Sequence, residues 1–204
     1  MSDEALMERV IAGDVQALGA LFERHKQPLF NFLLRFVRDR ALAEDVLLDA
    51  FLRLYDRRQA FRRGAAVSTW LYTIAHHLAL DRLKRAHRRD IPLDELPQEL
   101  SASEENLPLE ACARNELAQA VRGAIAQLPR DQQAVILLRE YQGLSYGEIG
   151  TIIGISEEAA RVRAHRARLT LRKLLEPAVG AVTFSADGSY NGQLISTEVL
   201  DDVR

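Results

Sequence analysis

The first 90 residues carry apolar side chains at spacings of three and four, the pattern of amphipathic helices. Ala43 to Tyr55 keeps this spacing, and Pro28 predicts a helix start or a bend within an earlier apolar run. Asp39–Ala41 indicates a short break, and Ser68 or Thr69 is the expected cap of a helix that continues to about Arg89. The repeating apolar positions include Leu18, Leu21, Phe22, Leu29, Phe32, Leu33, Phe36, Val46, Leu47, Ala50, Phe51 and Leu54.

The helical pattern stops between Asp90 and Pro108, where prolines and acidic residues accumulate, and returns at about Leu109. The last helix is expected to span Glu157 to Leu175, and the residues after Pro177 have no helical pattern. The pattern predicts an all-α protein in which a flexible linker joins two small helical domains. The predicted divisions are a first domain at 1–90, an acidic linker at 91–112, a second domain at 113–176 and a C-terminal extension at 177–204 without a compact fold.

The net charge of −2 hides a strongly uneven distribution of charge along the chain. Residues 61–90 hold seven basic and two acidic residues, a net of +5, and residues 161–176 hold six and one, again +5. Residues 91–116 hold one basic and seven acidic residues, a net of −6. Two basic blocks of this kind attract nucleic-acid phosphates, although solvated helix faces explain the charge alone equally well.

Residues 144–168 (LSYGEIGTIIGISEEAARVRAHRAR) predict a helix-turn-helix. Ser145 and Glu148 have the spacing of a capping box, Gly154 supplies a tight turn, and Ser156 caps the next helix. Such a second helix fits the major groove, where arginine bonds guanine or phosphate. An ordinary helical hairpin with a charged outer face is the simpler alternative. The helix carries Arg161, Arg163, Arg166 and Arg168.

Basic and aromatic residues alternate between Phe61 and Arg89. A basic, glycine-containing loop leads into a helix that holds Trp70, Tyr72, His76 and His77, followed by Arg82, Lys84, Arg85, Arg88 and Arg89. This combination suits single-stranded DNA, because charge holds the backbone while flat rings stack on unpaired bases. A core role for Trp70 is an equally good interpretation.

Catalysis and metal binding have no visible basis in the sequence. The chain has one cysteine, Cys112, and its adjacent histidines lack acidic or cysteine ligands at a suitable spacing. We therefore expect no enzyme activity, no metal and no cofactor. We also expect a cytoplasmic location, because the acidic N-terminus does not resemble a signal peptide and no long apolar run predicts membrane insertion.

Three segments in this order resemble extracytoplasmic-function (ECF) sigma factors, the smallest class of the sigma-70 superfamily. Residues 42–55 (LAEDVLLDAFLRLY) are similar to the helix that binds the clamp of RNA polymerase. Residues 69–85 (TWLYTIAHHLALDRLKR) are similar to the −10 recognition and melting segment of sigma region 2. Residues 128–175 are similar to the −35 reader of sigma region 4. The resemblance covers about residues 5–176 and implies promoter-specific transcription initiation.

The resemblance also implies partners and site residues. The implied partners are core RNA polymerase, through its clamp and flap regions, promoter DNA and an anti-sigma factor. The implied polymerase-binding residues are Glu44, Asp45, Asp49 and Arg53. The implied −10 residues are Phe61, Arg62, Arg63, Trp70, His77, Asp81, Arg82 and Arg85, with the loop 61–68 holding a flipped base. The implied −35 residues are Arg161, Val162, Arg163, His165 and Arg166.

Three positions depart from the family pattern. His77 stands where asparagine is usual, Leu48 where glutamine is common, and Val162 where a small polar residue is frequent. These departures leave the class unchanged and bear on the exact promoter sequence. A stand-alone helix-turn-helix regulator is the main alternative, but it explains only residues 130–175. A nucleic-acid enzyme is a second alternative, and it lacks a candidate metal site or nucleophile.

Overall fold

A computed structural model of the 204-residue chain describes residues 1–62, 64–88 and 109–179, with side chains described for 1–62, 64–86 and 117–176. In these ranges the secondary structure is helical and contains no strand. The helices are α1 (Asp3–Ile11), α2 (Val15–Val37), α3 (Arg40–Asp56), α4 (Val67–Arg88), α5 (Leu109–Gln127), α6 (Arg130–Ile136), α7 (Tyr146–Ile153) and α8 (Glu157–Val179). A 3-10 turn (Arg58–Ala60) follows α3, and a π turn (Leu137–Tyr141) continues α6.

Helices α1–α4 form the N-terminal domain, and local caps set several of their ends. The Asp14 carboxylate accepts from the backbone N–H groups of Gln16 and Ala17 at the start of α2. Arg38 ends α2 in the left-handed region at φ 62°, and the Asp39 carboxylate then caps α3 by accepting from Leu42 N at 2.9 Å. The predicted break at Asp39–Ala41 is therefore confirmed as the boundary between two helices.

Pro28 lies inside α2, so a helix start at that position is wrong. Proline removes one backbone hydrogen bond and crowds the preceding turn, which costs about 3 kcal/mol in an exposed helix. The cost is offset here because Leu21, Leu29, Phe32 and Leu33 of α2 are all buried in the core.

Helices α5–α8 form the C-terminal domain, and its helix-turn-helix depends on two glycines. Gly154 ends α7 at φ 80°, a conformation in which a side chain would be strained. A Cβ atom at Gly150 would lie 2.7 Å from the carbonyl oxygen of Ile155, so only glycine permits α7 to approach the turn this closely. The Ser145–Glu148 capping box and the Ser156 cap are both confirmed.

The two domains share one hydrophobic core in the part of the chain that the structure describes. Buried residues of α2 and α4 belong to the same cluster as Val135, Leu138 and Ile149 of the C-terminal domain. Helix α4 packs directly against α7, and α7 packs against α8. The two domains are therefore folded against each other.

Several predicted boundaries differ from the structure. Helix α4 begins at Val67, so Ser68 and Thr69 lie within it and do not cap it. Helix α5 begins at Leu109, where the helical pattern was expected to return, and α8 continues past Leu175 and Pro177 to Val179. The flexibility predicted for the linker and most of the C-terminal extension lies outside the described residues. Within the described ranges, no helix is both long and apolar enough to cross a membrane.

Candidate nucleic-acid and polymerase interfaces

The exposed face of α8 brings together four of the five predicted −35 residues. Arg161, Val162, His165 and Arg166 are exposed, and their spacing places them on one side of the helix. Ala160, Ala164 and Ala167 on the opposite side are fully buried. Small alanines let α8 pack closely on its own domain while the arginines extend outward, which is the arrangement that groove binding requires.

Arg161 is held at the start of α8 by two neighbours. Its guanidinium donates to the Glu157 carboxylate at 2.7 Å and lies 5.2 Å from the ring centroid of Tyr146. Both partners are in or beside the helix-turn-helix, so the side chain is oriented before any ligand arrives. A pre-oriented arginine loses less side-chain entropy when it binds a base or a phosphate.

Arg163 and Arg168 lie off this face. Arg163 forms an ion pair with Asp131 of α6 at 3.2 Å, and Arg168 pairs with Glu140 of the π turn at 2.7 Å. Each arginine therefore ties α8 to the preceding helical segment. The sequence grouped Arg163 with the −35 residues, and the structure places it on a different side of the helix.

A second exposed stripe runs along α4. Trp70, His77, Asp81 and Arg85 recur at spacings of seven, four and four, which places them on one side of the helix. His77, Asp81 and Arg85 are exposed and Trp70 is half-buried, whereas Leu71, Ala75 and Leu78 on the other side are buried. The stripe combines an indole, an imidazole, a carboxylate and a guanidinium, in contrast to the basic face of α8.

The hydrogen bond made by His77 fixes its tautomer. Its Nδ1 atom lies 2.7 Å from the carbonyl oxygen of Thr73. A carbonyl only accepts, so Nδ1 carries the proton and donates, and the neutral ring presents Nε2 as an acceptor. The outward atom of His77 therefore suits a partner that donates a hydrogen bond.

Arg82 points away from the α4 stripe toward α3. Its guanidinium donates to the carboxylate of Asp49 at 2.6 Å, and both side chains are partly exposed. The sequence assigned Arg82 to the −10 site and Asp49 to the polymerase-binding site. The structure brings these two residues together in one ion pair between the two helices.

The loop before α4 carries an aromatic contact. The rings of Phe61 and Trp70 lie 5.2 Å apart between centroids, and each ring is only partly buried. Arg62 is exposed beside them, and Gly64 turns the chain at φ 85°. Arg63 lies outside the described residues. A core role and an accessible ring were both considered for Trp70. The indole combines them, because one side packs on the protein while the rest stays accessible.

Helix α3 presents an apolar stripe between acidic residues. Glu44, Asp45 and Arg53 are exposed as the sequence expected. Between them lie Leu48 and Leu52, whose exposed fractions are 54% and 63%. Two exposed leucines one helical turn apart, flanked by carboxylates, form a surface that suits a partner with apolar and basic groups.

Sequence reasoning missed three exposed apolar residues on these surfaces. Leu48 and Leu52 were absent from the predicted polymerase-binding set, and Leu169 of α8, 43% exposed, was absent from the −35 set. A helical projection of α3 contains the signal, because both leucines fall between Asp45 and Glu44, opposite the buried Ala43, Val46 and Ala50.

Comparisons with known proteins agree with this geometry. The model of the Sigma-70 region 2 family matches residues 21–89, and that of Sigma-70 region 4 matches residues 118–171. RNA polymerase sigma-H factor of Pseudomonas aeruginosa is 34% identical over 182 residues, covering 86% of this chain and 94% of that protein. ECF RNA polymerase sigma factor SigM of Mycobacterium tuberculosis is 34% identical over 176 residues, covering 85% of each.

A solved structure has the same fold. CnrH in complex with the cytosolic domain of CnrY matches with a TM-score of 0.65 and 25% identity, covering 86% of this chain and 97% of that one. The segments that the two family models match include α3, the α4 stripe and the α8 face. The chain belongs to the ECF sigma factors of the sigma-70 family and is an RNA polymerase sigma factor.

Proposed function

We propose that this sigma factor divides promoter recognition between its two exposed helix faces. The α8 face reads the −35 element as duplex DNA, and the α4 stripe with the Phe61–Trp70 pair captures the −10 element as it melts. The observation that supports the division most strongly is the difference in chemistry between the faces. One offers Arg161 and Arg166 on a slim helix, and the other offers partly exposed rings.

The α8 face is assigned to the −35 element because its exposed arginines can form hydrogen bonds with bases. Arginine is the side chain that most often reads guanine in the major groove, through paired hydrogen bonds to O6 and N7. His165 and Val162 lie exposed between the two arginines, which supports contacts of these side chains with neighbouring bases. We assign Arg163 to stabilising the domain, because its half-buried side chain pairs with Asp131 of α6, whereas the exposed Arg161 pairs with Glu157 of its own helix.

The −10 assignment follows from the aromatic and acceptor groups near the start of α4. An unpaired base can stack on the exposed part of the Phe61–Trp70 pair, while Arg62 binds the backbone phosphate. His77 then accepts a hydrogen bond through Nε2, which favours a base that presents an exocyclic amine. Arg85 and Asp81 complete the stripe.

Core polymerase is the proposed ligand of α3. Glu44, Asp45 and Arg53 form the charged border, and Leu48 and Leu52 form the apolar centre of the surface. A central apolar patch within a charged rim is the usual anatomy of a specific protein interface. Asp49 is assigned to positioning Arg82, in addition to any contact with polymerase.

An anti-sigma factor is the proposed regulator, and the support is that CnrH was solved in complex with the cytosolic domain of CnrY. We also propose the division into a region 2 domain at 1–90, a linker at 91–112, a region 4 domain at 113–176 and an extension at 177–204. We propose that the protein acts by binding and catalyses no reaction of its own. A stand-alone regulator is not favoured, because residues 21–89 match sigma region 2.

Run-off transcription with core polymerase tests the polymerase surface. Asp45→Arg combined with Leu52→Ala should reduce core binding and transcript yield at least tenfold, because reversed charge at an interface costs several kcal/mol. Glu8→Arg makes the same charge change at an exposed position of α1 and is the matched control. Wild-type yield from the double variant, with helical content unchanged, would contradict docking through α3.

A further inference from the structure

The centre of the basic α8 face is occupied by an apolar residue, Val162, which is 44% exposed. An α-helix turns about 100° per residue, so Val162 points almost directly away from the buried alanine side of α8. Arg161 lies on one side of Val162 around the helix, and Arg166 lies on the other. A ligand that contacts both arginines must therefore also approach Val162.

The long side chains next to Val162 in the sequence do not cover it. Arg161 donates to the carboxylate of Glu157, one helical turn toward the N-terminus, at 2.7 Å. Arg163 pairs with Asp131 of α6 at 3.2 Å, on the flank of the helix. Both guanidinium groups are therefore held away from the valine, and its methyl groups stay open to a ligand.

The position of these methyl groups is well defined. A valine in a helix adopts one χ1 rotamer in about 90% of cases, because its branched side chain is crowded by the preceding turn. The helix itself is fixed by the Ser156 cap and by its buried alanine side. Val162 therefore offers a stiff apolar surface that loses little conformational entropy when a ligand covers it.

The major groove of duplex DNA offers one kind of group that matches this surface. Guanine, adenine and cytosine present hydrogen-bond acceptors and amine donors there, whereas thymine also presents the methyl group at C5. A valine placed against an acceptor or an amine would exclude water without replacing its hydrogen bond, which is unfavourable. Contact with a phosphate is disfavoured for the same reason. The thymine methyl is therefore the group in the groove that Val162 can favour.

We propose that Val162 is a specificity-determining residue, which selects a thymine in the −35 element by packing on its 5-methyl group. The proposal rests on the proposed function, because it requires α8 to lie in the major groove. The selected thymine lies beside a base that Arg161 or Arg166 reads, since Val162 is between them on the face. Burial of one methyl group changes affinity about fourfold. A serine at this position has no methyl group and would lack the preference.

Removal of the methyl group from the DNA tests the contact without changing the protein. Holoenzyme, formed from the full chain and core RNA polymerase, first selects duplexes from a promoter library that is randomised over the −35 element. Each thymine of the selected element is then replaced in turn by deoxyuridine, which lacks only the 5-methyl group. One such replacement should weaken binding of wild-type holoenzyme about fourfold.

Variants of α8 then identify the residue that senses the methyl group. Val162→Ser and Val162→Ala both remove the two γ-methyl groups from an exposed position, and both should bind the thymine and deoxyuridine probes equally. Leu169→Ser is the matched control, because Leu169 is 43% exposed on the same side of α8 but lies two turns further on, about 10 Å along the axis. Base edges are contacted from the N-terminal part of a recognition helix, so this variant should keep the fourfold difference.

Three results would overturn the proposal: a selected element that lacks thymine or whose thymines all tolerate deoxyuridine, a difference that persists in both Val162 variants, or its loss in Leu169→Ser as well. Failure of the proposed function gives a different result, because wild-type holoenzyme would then enrich no −35 sequence from the library. If only the role of Val162 fails, a sequence is enriched, and Arg161→Ala with Arg166→Ala still weakens binding to it.

Discussion

The two DNA-binding faces of this sigma factor differ in how their side chains are held. On α8 the outward arginines project from a helix that is fixed by the Ser156 cap, the Gly154 turn before it and a buried alanine side. On α4 the outward groups are more varied, and the loop beside them carries the Phe61–Trp70 pair. A helix face that carries two outward arginines suits the grooves of duplex DNA. Accessible rings suit bases that have left the duplex.

The largest expected effect is on the duplex-reading face. Arg161→Ala combined with Arg166→Ala should weaken holoenzyme binding to a duplex −35 element by about 2–6 kcal/mol, because each base-reading arginine contributes roughly 1–3 kcal/mol. Filter binding at fixed salt measures the loss. Arg163→Ala is the control on the same helix, and it should cost far less, since its guanidinium pairs with Asp131. Equal losses would show that the two sides of α8 are not distinct.

The next effect concerns melting. Phe61→Ala combined with Trp70→Ala should reduce open complexes, measured by permanganate reactivity, because stacking is worth roughly 1–3 kcal/mol per base. If the rings capture bases as they unpair, a template already mismatched at −10 should recover part of the loss. The same deficit on both templates would instead indicate a defect in folding or docking.

A third prediction concerns the pH dependence of stability in the N-terminal domain. Burial, followed in importance by the neighbouring His77, lowers the pKa of His76 to about 4 from an ordinary value near 6.5. Below pH 6.5 the unfolded chain gains a proton that the folded chain refuses, so stability is complete above that pH and falls between 6.5 and 4. Between pH 7 and pH 5 the free energy of unfolding should fall by about 2 kcal/mol.

Urea unfolding followed by Trp70 fluorescence measures this fall, because Trp70 is the only tryptophan and reports on the N-terminal domain. His76→Gln should remove most of the pH dependence. His165→Gln, at an exposed position on α8, should leave it unchanged. Persistence of the full fall in His76→Gln would assign it to other groups.

The smallest effect tests the support of α8. Ser145→Ala removes both the acceptor for Glu148 N–H and the hydroxyl that donates to the Glu148 carboxylate at 2.6 Å. Loss of such a cap costs about 1 kcal/mol. Hydrogen exchange in α7 should accelerate about fivefold, and −35 binding should weaken more than −10 melting. Unchanged exchange would mean that the capping box does not stabilise α7.

The sequence predicted the elements whose signals are local. Ser145, Glu148, Gly154 and Ser156 determine the helix-turn-helix within a dozen residues, and Asp39 marks a helix boundary by its own side chain. The all-helical class and the family followed from such segments.

Features that depend on tertiary contacts were not accessible in this way. The partner of Arg163 is Asp131 and that of Arg82 is Asp49, each more than thirty positions away in the chain. Pro28 stays helical because its neighbours are buried by other helices. Leu48 and Leu52 lie on the outer side of α3 in a helical projection, but only packing shows that no other helix covers that side.

The most direct test of the division between the faces is binding of holoenzyme to two probes. One probe has a duplex −35 element alone, and the other has a single-stranded −10 element alone. Arg161→Ala with Arg166→Ala should lose affinity for the first and keep it for the second, and Phe61→Ala with Trp70→Ala should show the reverse. Similar losses by both variants on both probes would contradict a division of labour between α8 and α4.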